Sequence, residues 1–197
     1  VGPQLSRMLI EIFATLHAID PVRIGLGEFG KPDGFLARAV EGWAKRAEIA
    51  GDGEVTSAGR AVIDWLRATP APKGDVTLLH NDFKLDNVIL DPVTLAPVAV
   101  VDWDMGSRGD PLFDVATMLS YWTQAGDPPC MHEVRQMPSA MPGFMTRAEL
   151  VEAYARASGR DVSQFRFYRV LTMFKTSIVY LQLGAQFRRG ATNDPRF

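Results

Sequence analysis

The sequence predicts an α+β domain that is mainly helical, with a few short strands gathered around polar loops. Three observations predict it. Apolar residues recur at three- and four-residue intervals over long stretches toward both ends of the chain, which is the helical period. Three short β-prone runs are confined to residues 76–101 and are bounded by turn-forming residues. The polar strings with chemical promise, His80-Asn81-Asp82 and Asp102-Trp103-Asp104, lie in the loops beside those runs.

The elements follow in order. Leu5, Leu9, Ile12, Leu16 and Ile19 form the stripe of a first helix, widened by Met8 and Phe13 and stopped by Asp20-Pro21. A loop runs to Asp33-Gly34. A second helix is expected from 35 to about 50, with Leu36, Val40, Trp43 and Ala47 on one face and Gly51-Asp52-Gly53 as its stop. Thr56 or Ser57 opens a third, carrying Ala61, Ile63, Trp65 and Leu66. After Pro70-Ala71-Pro72 the texture changes. Val76-Thr77-Leu78-Leu79, Val88-Ile89-Leu90 and Val98-Ala99-Val100-Val101 read as three strands, the last two joined by a turn at Asp91-Pro92. Helix returns from Leu112 through Val115, Ala116, Leu119 and Trp122. Residues 125–145, rich in proline and methionine, read as an irregular excursion, and helices over 146–158 and 162–187 follow.

Composition excludes several classes of function. The 197 residues suffice for one good-sized domain, and 47% apolar with 22% charged residues is ordinary for a globular chain. A net charge of −2 and a pI near 5.9 give no basic field for nucleic acid or an anionic membrane. One cysteine, Cys130, and three scattered histidines build neither a disulfide framework nor a zinc site. No apolar run approaches the roughly 20 residues that span a bilayer, and no signal-peptide pattern is visible. A cytoplasmic location is therefore expected, with neither nucleic acid nor membrane as partner.

The spacing of the polar residues points to phosphoryl transfer. That reaction needs a carboxylate to orient the acceptor hydroxyl and take its proton, oxygen ligands for magnesium, and positive charge near the phosphates. Protein kinases place the first in H-R-D-x-x-x-x-N and a metal carboxylate one hairpin later. Here His80-x-Asp82 is followed by Asn87 at the same interval, and Asp102 follows the next β-prone run. Asp82 is the candidate base, Asn87 and Asp102 the candidate magnesium ligands, and Lys84 the cation that approaches the transferring phosphate. Gly25-Leu26-Gly27-Glu28-Phe29-Gly30 also spells a nucleotide-loop pattern, but it follows a helix rather than a strand and reads as a connecting loop.

Leu79-His80-Asn81-Asp82-Phe83-Lys84-Leu85-Asp86-Asn87, Val101-Asp102-Trp103-Asp104 and Gly109-Asp110-Pro111-Leu112-Phe113-Asp114-Val115-Ala116 together resemble the aminoglycoside phosphotransferase and choline kinase superfamily. Leu16-His17-Ala18-Ile19-Asp20 and the segment 25–35 resemble, more narrowly, the branch of kinase-like domains fused to acyl-CoA dehydrogenases. The resemblance implies a protein-kinase-like C-terminal lobe over 1–197, with ATP or another nucleoside triphosphate as co-substrate, Mg2+ as cofactor and a small-molecule hydroxyl compound as acceptor. It implies that His80 braces the loop and that Asp114 holds it by accepting backbone hydrogen bonds. Two positions depart from the pattern. Asn81 stands where the family carries glycine, which predicts a left-handed or strained backbone. Asp104 stands where kinases carry the glycine of D-F-G, making it a further candidate metal carboxylate beside Asp102. The glycine-rich loop, strand lysine and helix glutamate of a nucleotide-clamping small lobe are not identifiable before the first helix, so the chain is expected to be one lobe of a larger phosphotransferase. The rival expectation is a pseudo-kinase, a binding or regulatory module that retains the scaffold.

Overall fold

The helical periods fold as α1 (Gly2–Ala18), α2 (Phe35–Ala50), α3 (Ser57–Ala68), α4 (Pro111–Tyr121), α5 (Pro129–Glu133), α6 (Arg147–Ser158) and α7 (Phe165–Arg188), in a computed structural model that describes residues 1–51 and 53–190. Asp52, in the stop expected after the second helix, and the segment 191–197 lie outside the described residues. The architecture is helical with a few short strands, as expected. Helix starts are set by local chemistry. Thr56 Oγ1 accepts the Gly59 N–H at 3.1 Å ahead of α3. Asp110 caps α4 by accepting from Leu112 N–H at 3.0 Å, with Pro111 at the first helical position. Thr146 and Glu149 form a reciprocal capping box on α6, which ends in left-handed Gly159.

The strands differ from expectation in number. Among the described residues there are four: β1 (Thr77–Leu79), β2 (Val88–Leu90), β3 (Pro97–Val100) and β4 (Ser107–Gly109). They form two separate antiparallel ladders, β1 with β4 and β2 with β3. β4 is missing from the sequence reading because Ser107-Arg108-Gly109 contains no β-branched or aromatic residue; its register opposite Leu79, Leu78 and Thr77 makes it a strand. The 125–145 excursion is irregular apart from the five residues of α5.

The core lies between the helices. α1 packs on α6, and α4 and α2 pack on α7. Leu9, Phe13, Val115, Ala116, Met118, Leu119, Trp122, Leu150, Tyr154 and Leu171 are fully buried. Ten of the eleven residues of α4 are buried, so this helix runs through the centre of the molecule and can present a polar side chain to the interior. Phe83 ties the polar loop into the core: it is fully buried, with its ring 4.5 Å from that of Phe13. Among the described residues no helix is long and apolar enough to cross a membrane. The Gly25–Gly30 stretch is an exposed connection without regular structure that rests on β4, where Arg108 Nε donates to Phe29 O.

Candidate active site

Residues 80–87 leave β1 and enter β2, and their backbone is held from within the core. Asp114, fully buried on α4, accepts from the N–H of His80 at 2.6 Å and of Asn81 at 2.8 Å. A carboxylate in the first turn of α4 is also favoured by that helix's own N-terminus. His80, fully buried, places Nε2 2.9 Å from Val101 O and Nδ1 3.3 Å from the Asp82 N–H. The tautomer with its proton on Nε2 satisfies both contacts, donating to the carbonyl and accepting from the amide. The imidazole is therefore spent on bracing two strands and a loop.

Asn81 has φ 63°, the left-handed region that asparagine tolerates better than most residues. Its carbonyl accepts from Lys175 Nζ at 3.0 Å, and its Nδ2 donates to Met105 O at 2.9 Å. This turn aims Asp82 out of the loop. Asp82 Oδ1 accepts from the Tyr121 hydroxyl at 2.8 Å, and Oδ2 pairs with Lys84 Nζ at 2.7 Å. The Asp82 side chain is 24% exposed and that of Lys84 17%, enough to meet a ligand from outside. Burial, and then the neighbouring Asp82 charge, push the Tyr121 phenol well above its ordinary pKa, so Tyr121 remains a donor to the carboxylate.

Asn87 sits at the other end of the loop. Its Nδ2 donates to Asp82 O at 2.8 Å, which turns Oδ1 away from the loop, and no donor among the described residues reaches that oxygen. The β2–β3 ladder pairs Val88 with Val100, and Val101 N–H donates to Asn87 O at 2.9 Å. The residue after Val101 is Asp102, so the register brings Asn87 and Asp102 to one end of the hairpin. Asp102 is exposed, has φ 65°, and no hydrogen bond or ion pair holds its carboxylate among the described residues. Asp104 is exposed in the single turn that follows, and Asp86 is exposed beside Asn87. Asn87 Oδ1 and the Asp102 carboxylate are hard oxygen donors on one hairpin end, without protein partners among the described residues, a donor set that fits Mg2+ completed by water and phosphate oxygens.

Two contributors were not legible in the sequence reading. Tyr121 lies at the last position of α4 and meets Asp82 only because that helix is central. Lys175 sits in the stripe Tyr168, Leu171, Lys175, Ile178 of α7, where a lysine among apolar positions was the available signal. Burial lowers its pKa from 10.5 to about 8, against the opposing pull of Asp114 and Asp82; Arg46 and Lys84 add to the lowering. The sign for stability follows. The unfolded chain keeps this proton up to 10.5 while the folded chain releases it near 8, so the unfolded state binds more protons between those values and stability rises with pH there. Chemical denaturation between about pH 7.5 and 9.5, below the ordinary tyrosine range, is expected to show a rising unfolding free energy that Lys175→Met flattens. Parallel profiles for the two proteins would contradict this assignment.

Comparison with known proteins adds the family context. A family model described as "Phosphotransferase enzyme family" matches residues 2–168. Acyl-CoA dehydrogenase family member 11 of Rattus norvegicus is 27% identical over 169 residues, covering 85% of this chain and 22% of the relative. Acyl-CoA dehydrogenase family member 10 of Mus musculus is 28% identical over 171 residues, covering 86% of this chain and 16% of the relative. The chain therefore spans about a fifth of these relatives' length. A crystal structure from Ralstonia eutropha JMP134, whose assignment as an aminoglycoside phosphotransferase is itself provisional, superposes with a TM-score of 0.82 at 24% identity. It covers all of this chain, which spans 61% of that protein.

Proposed function

The chain belongs to the phosphotransferase enzyme family, and from that membership we propose that the protein transfers the terminal phosphoryl group of ATP, or another nucleoside triphosphate, to a hydroxyl of a small molecule. The observation that carries the reading is the Asp82 carboxylate, held between the Tyr121 phenol and the Lys84 ammonium in a loop whose far end offers Asn87 and Asp102. Tyr121 also lines a cavity of about 400 Å³ with Met131, Val134, Met173 and Tyr180, which supports a small molecule as the acceptor.

In this reading the acceptor hydroxyl hydrogen-bonds to Asp82, which takes its proton as the oxygen–phosphorus bond forms and the bond from phosphorus to the nucleoside diphosphate breaks. Tyr121 and Lys84 fix the carboxylate's orientation, and the Lys84 ammonium offsets charge on the transferring group. His80 and Asp114 hold the loop without meeting the substrate. Asn87 Oδ1 and Asp102 would hold Mg2+, with Asp104 as a further carboxylate nearby; the ion supplies charge neutralisation across the phosphates. The nucleotide-clamping groups expected of a second lobe would complete the site in the whole protein.

A direct test uses the whole protein and Mn2+ as a spectroscopic stand-in for Mg2+. Asp102→Ala is expected to weaken Mn2+ binding by more than about tenfold and to abolish transfer. Unchanged Mn2+ affinity in that variant would remove Asp102 from the site. Titration of Mg-ATP without any binding would favour a regulatory module over an enzyme.

A further inference from the structure

Asp102 is the candidate metal ligand, yet its own side chain is anchored to nothing among the described residues. Its position is set by its flanks. On one side, the Val101 carbonyl accepts from His80 Nε2 at 2.9 Å. On the other, the Met105 carbonyl accepts from Asn81 Nδ2 at 2.9 Å. Between them the chain makes a left-handed residue at Asp102 and one tight turn, Trp103–Met105. The Trp103 ring lies 4.7 Å from the His80 ring, and its indole N–H donates to Val100 O at 2.9 Å. Two consecutive residues of the loop that carries Asp82 thus grip both ends of the segment that carries Asp102.

The Asn81 grip is kept at a cost. Its φ of 63° is one that glycine adopts without strain, whereas a side chain there is disfavoured. Its Oδ1 is buried with no hydrogen-bond partner among the described residues, an arrangement that opposes stability. Rotating the amide would not relieve this, because Oδ1 would then face the Met105 carbonyl. Glycine would avoid both penalties and lose only the bond to Met105. The backbone of Asn81 is itself fixed independently, by Asp114 at the N–H and Lys175 at the carbonyl, so its side chain projects from a rigid point.

We propose that Asn81 is a positioning residue that straps the Asp102–Met105 segment to the catalytic loop and so sets the distance between the base and the metal ligand. The role of the strap rests on Asp102 being a metal ligand, and its mechanical effect can be read without metal.

Asn81→Gly is the informative variant in the full-length protein, since it keeps the left-handed backbone and deletes the strap alone. Hydrogen exchange of the metal-free protein is expected to speed about tenfold at the amides of 103–106, the loss expected for one hydrogen bond, while the amides of His80 and Asn81 keep their protection through Asp114. Mn2+ binding, read by electron paramagnetic resonance, is expected to weaken by about tenfold, as on removal of other partners that orient metal ligands. Unchanged exchange at 103–106 would overturn the strap. Faster exchange with unchanged Mn2+ affinity would overturn its role in positioning Asp102. Failure of the parent protein to bind Mn2+ at all would instead overturn the metal-site reading on which the positioning role depends. A loss of protection at residues 80 and 81 as well would show that the variant loosens the whole loop, and would count against a specific strap.

Discussion

Asp82→Asn in the full-length protein is expected to lower phosphoryl transfer by about 10²- to 10⁴-fold, the usual worth of a positioned general base. That is roughly 3–5 kcal/mol of barrier. The fold should survive, because an asparagine can keep both neighbours: its carbonyl oxygen accepts from Lys84, and its amide donates to the Tyr121 oxygen where the carboxylate now accepts. Thermal denaturation and Mn2+ binding should stay close to those of the parent protein, which separates a lost proton acceptor from a damaged site. Turnover within a few-fold of the parent would remove Asp82 from the chemistry. The same variant distinguishes the two charged partners: if Lys84 served only to neutralise Asp82, its removal would add nothing further once Asp82 is uncharged.

Asp114→Ala is expected to have the largest effect on stability. It removes the acceptor for two buried backbone N–H groups and leaves them in the core, beside the buried imidazole of His17. Hydrogen bonds to charged groups contribute about 1.5–3 kcal/mol each, so a loss of roughly 3–6 kcal/mol is expected, a large share of the 5–15 kcal/mol typical of a folded domain. Asp114→Asn retains one acceptor oxygen and should lose about half as much. Urea denaturation of both variants checks the order. A loss under about 1 kcal/mol for the alanine variant would mean that the two N–H groups find other partners. Transfer activity should fall further than stability alone accounts for, since the left-handed turn at Asn81 that aims Asp82 loses its main tether.

The helices are legible in the sequence because the information that fixes them is local. Phe35–Ala50 and Ser57–Ala68 are bounded by glycine and threonine chemistry within a few residues of their ends, and each shows an apolar face at the helical period. The left-handed turn at Asn81 was expected because the family pattern carries glycine at that position, and asparagine tolerates that conformation better than most residues. β4 was not legible, because Ser107-Arg108-Gly109 becomes a strand through its partner Leu79 and not through its own propensity. Tyr121 likewise carries no local mark that separates it from any aromatic at a helix end.

What the chain's order of residues determined by itself is the helical frame and the sequence of polar groups: Asp82, then Lys84 and Asn87, then Asp102 and Asp114. Periodicity, capping and motif spacing are short-range properties, so they can be read without the fold. Only the tertiary structure decided which of these groups meet. His80 lies 34 residues from Asp114, Asp82 lies 39 from Tyr121, and Asn81 lies 94 from Lys175, and each pair is joined by a hydrogen bond. Those contacts exist because α4 is threaded through the core and packed on α7, which brings polar side chains from distant segments together, in the dry interior at His80, Asn81, Asp114 and Lys175 and at its partly open edge at Asp82.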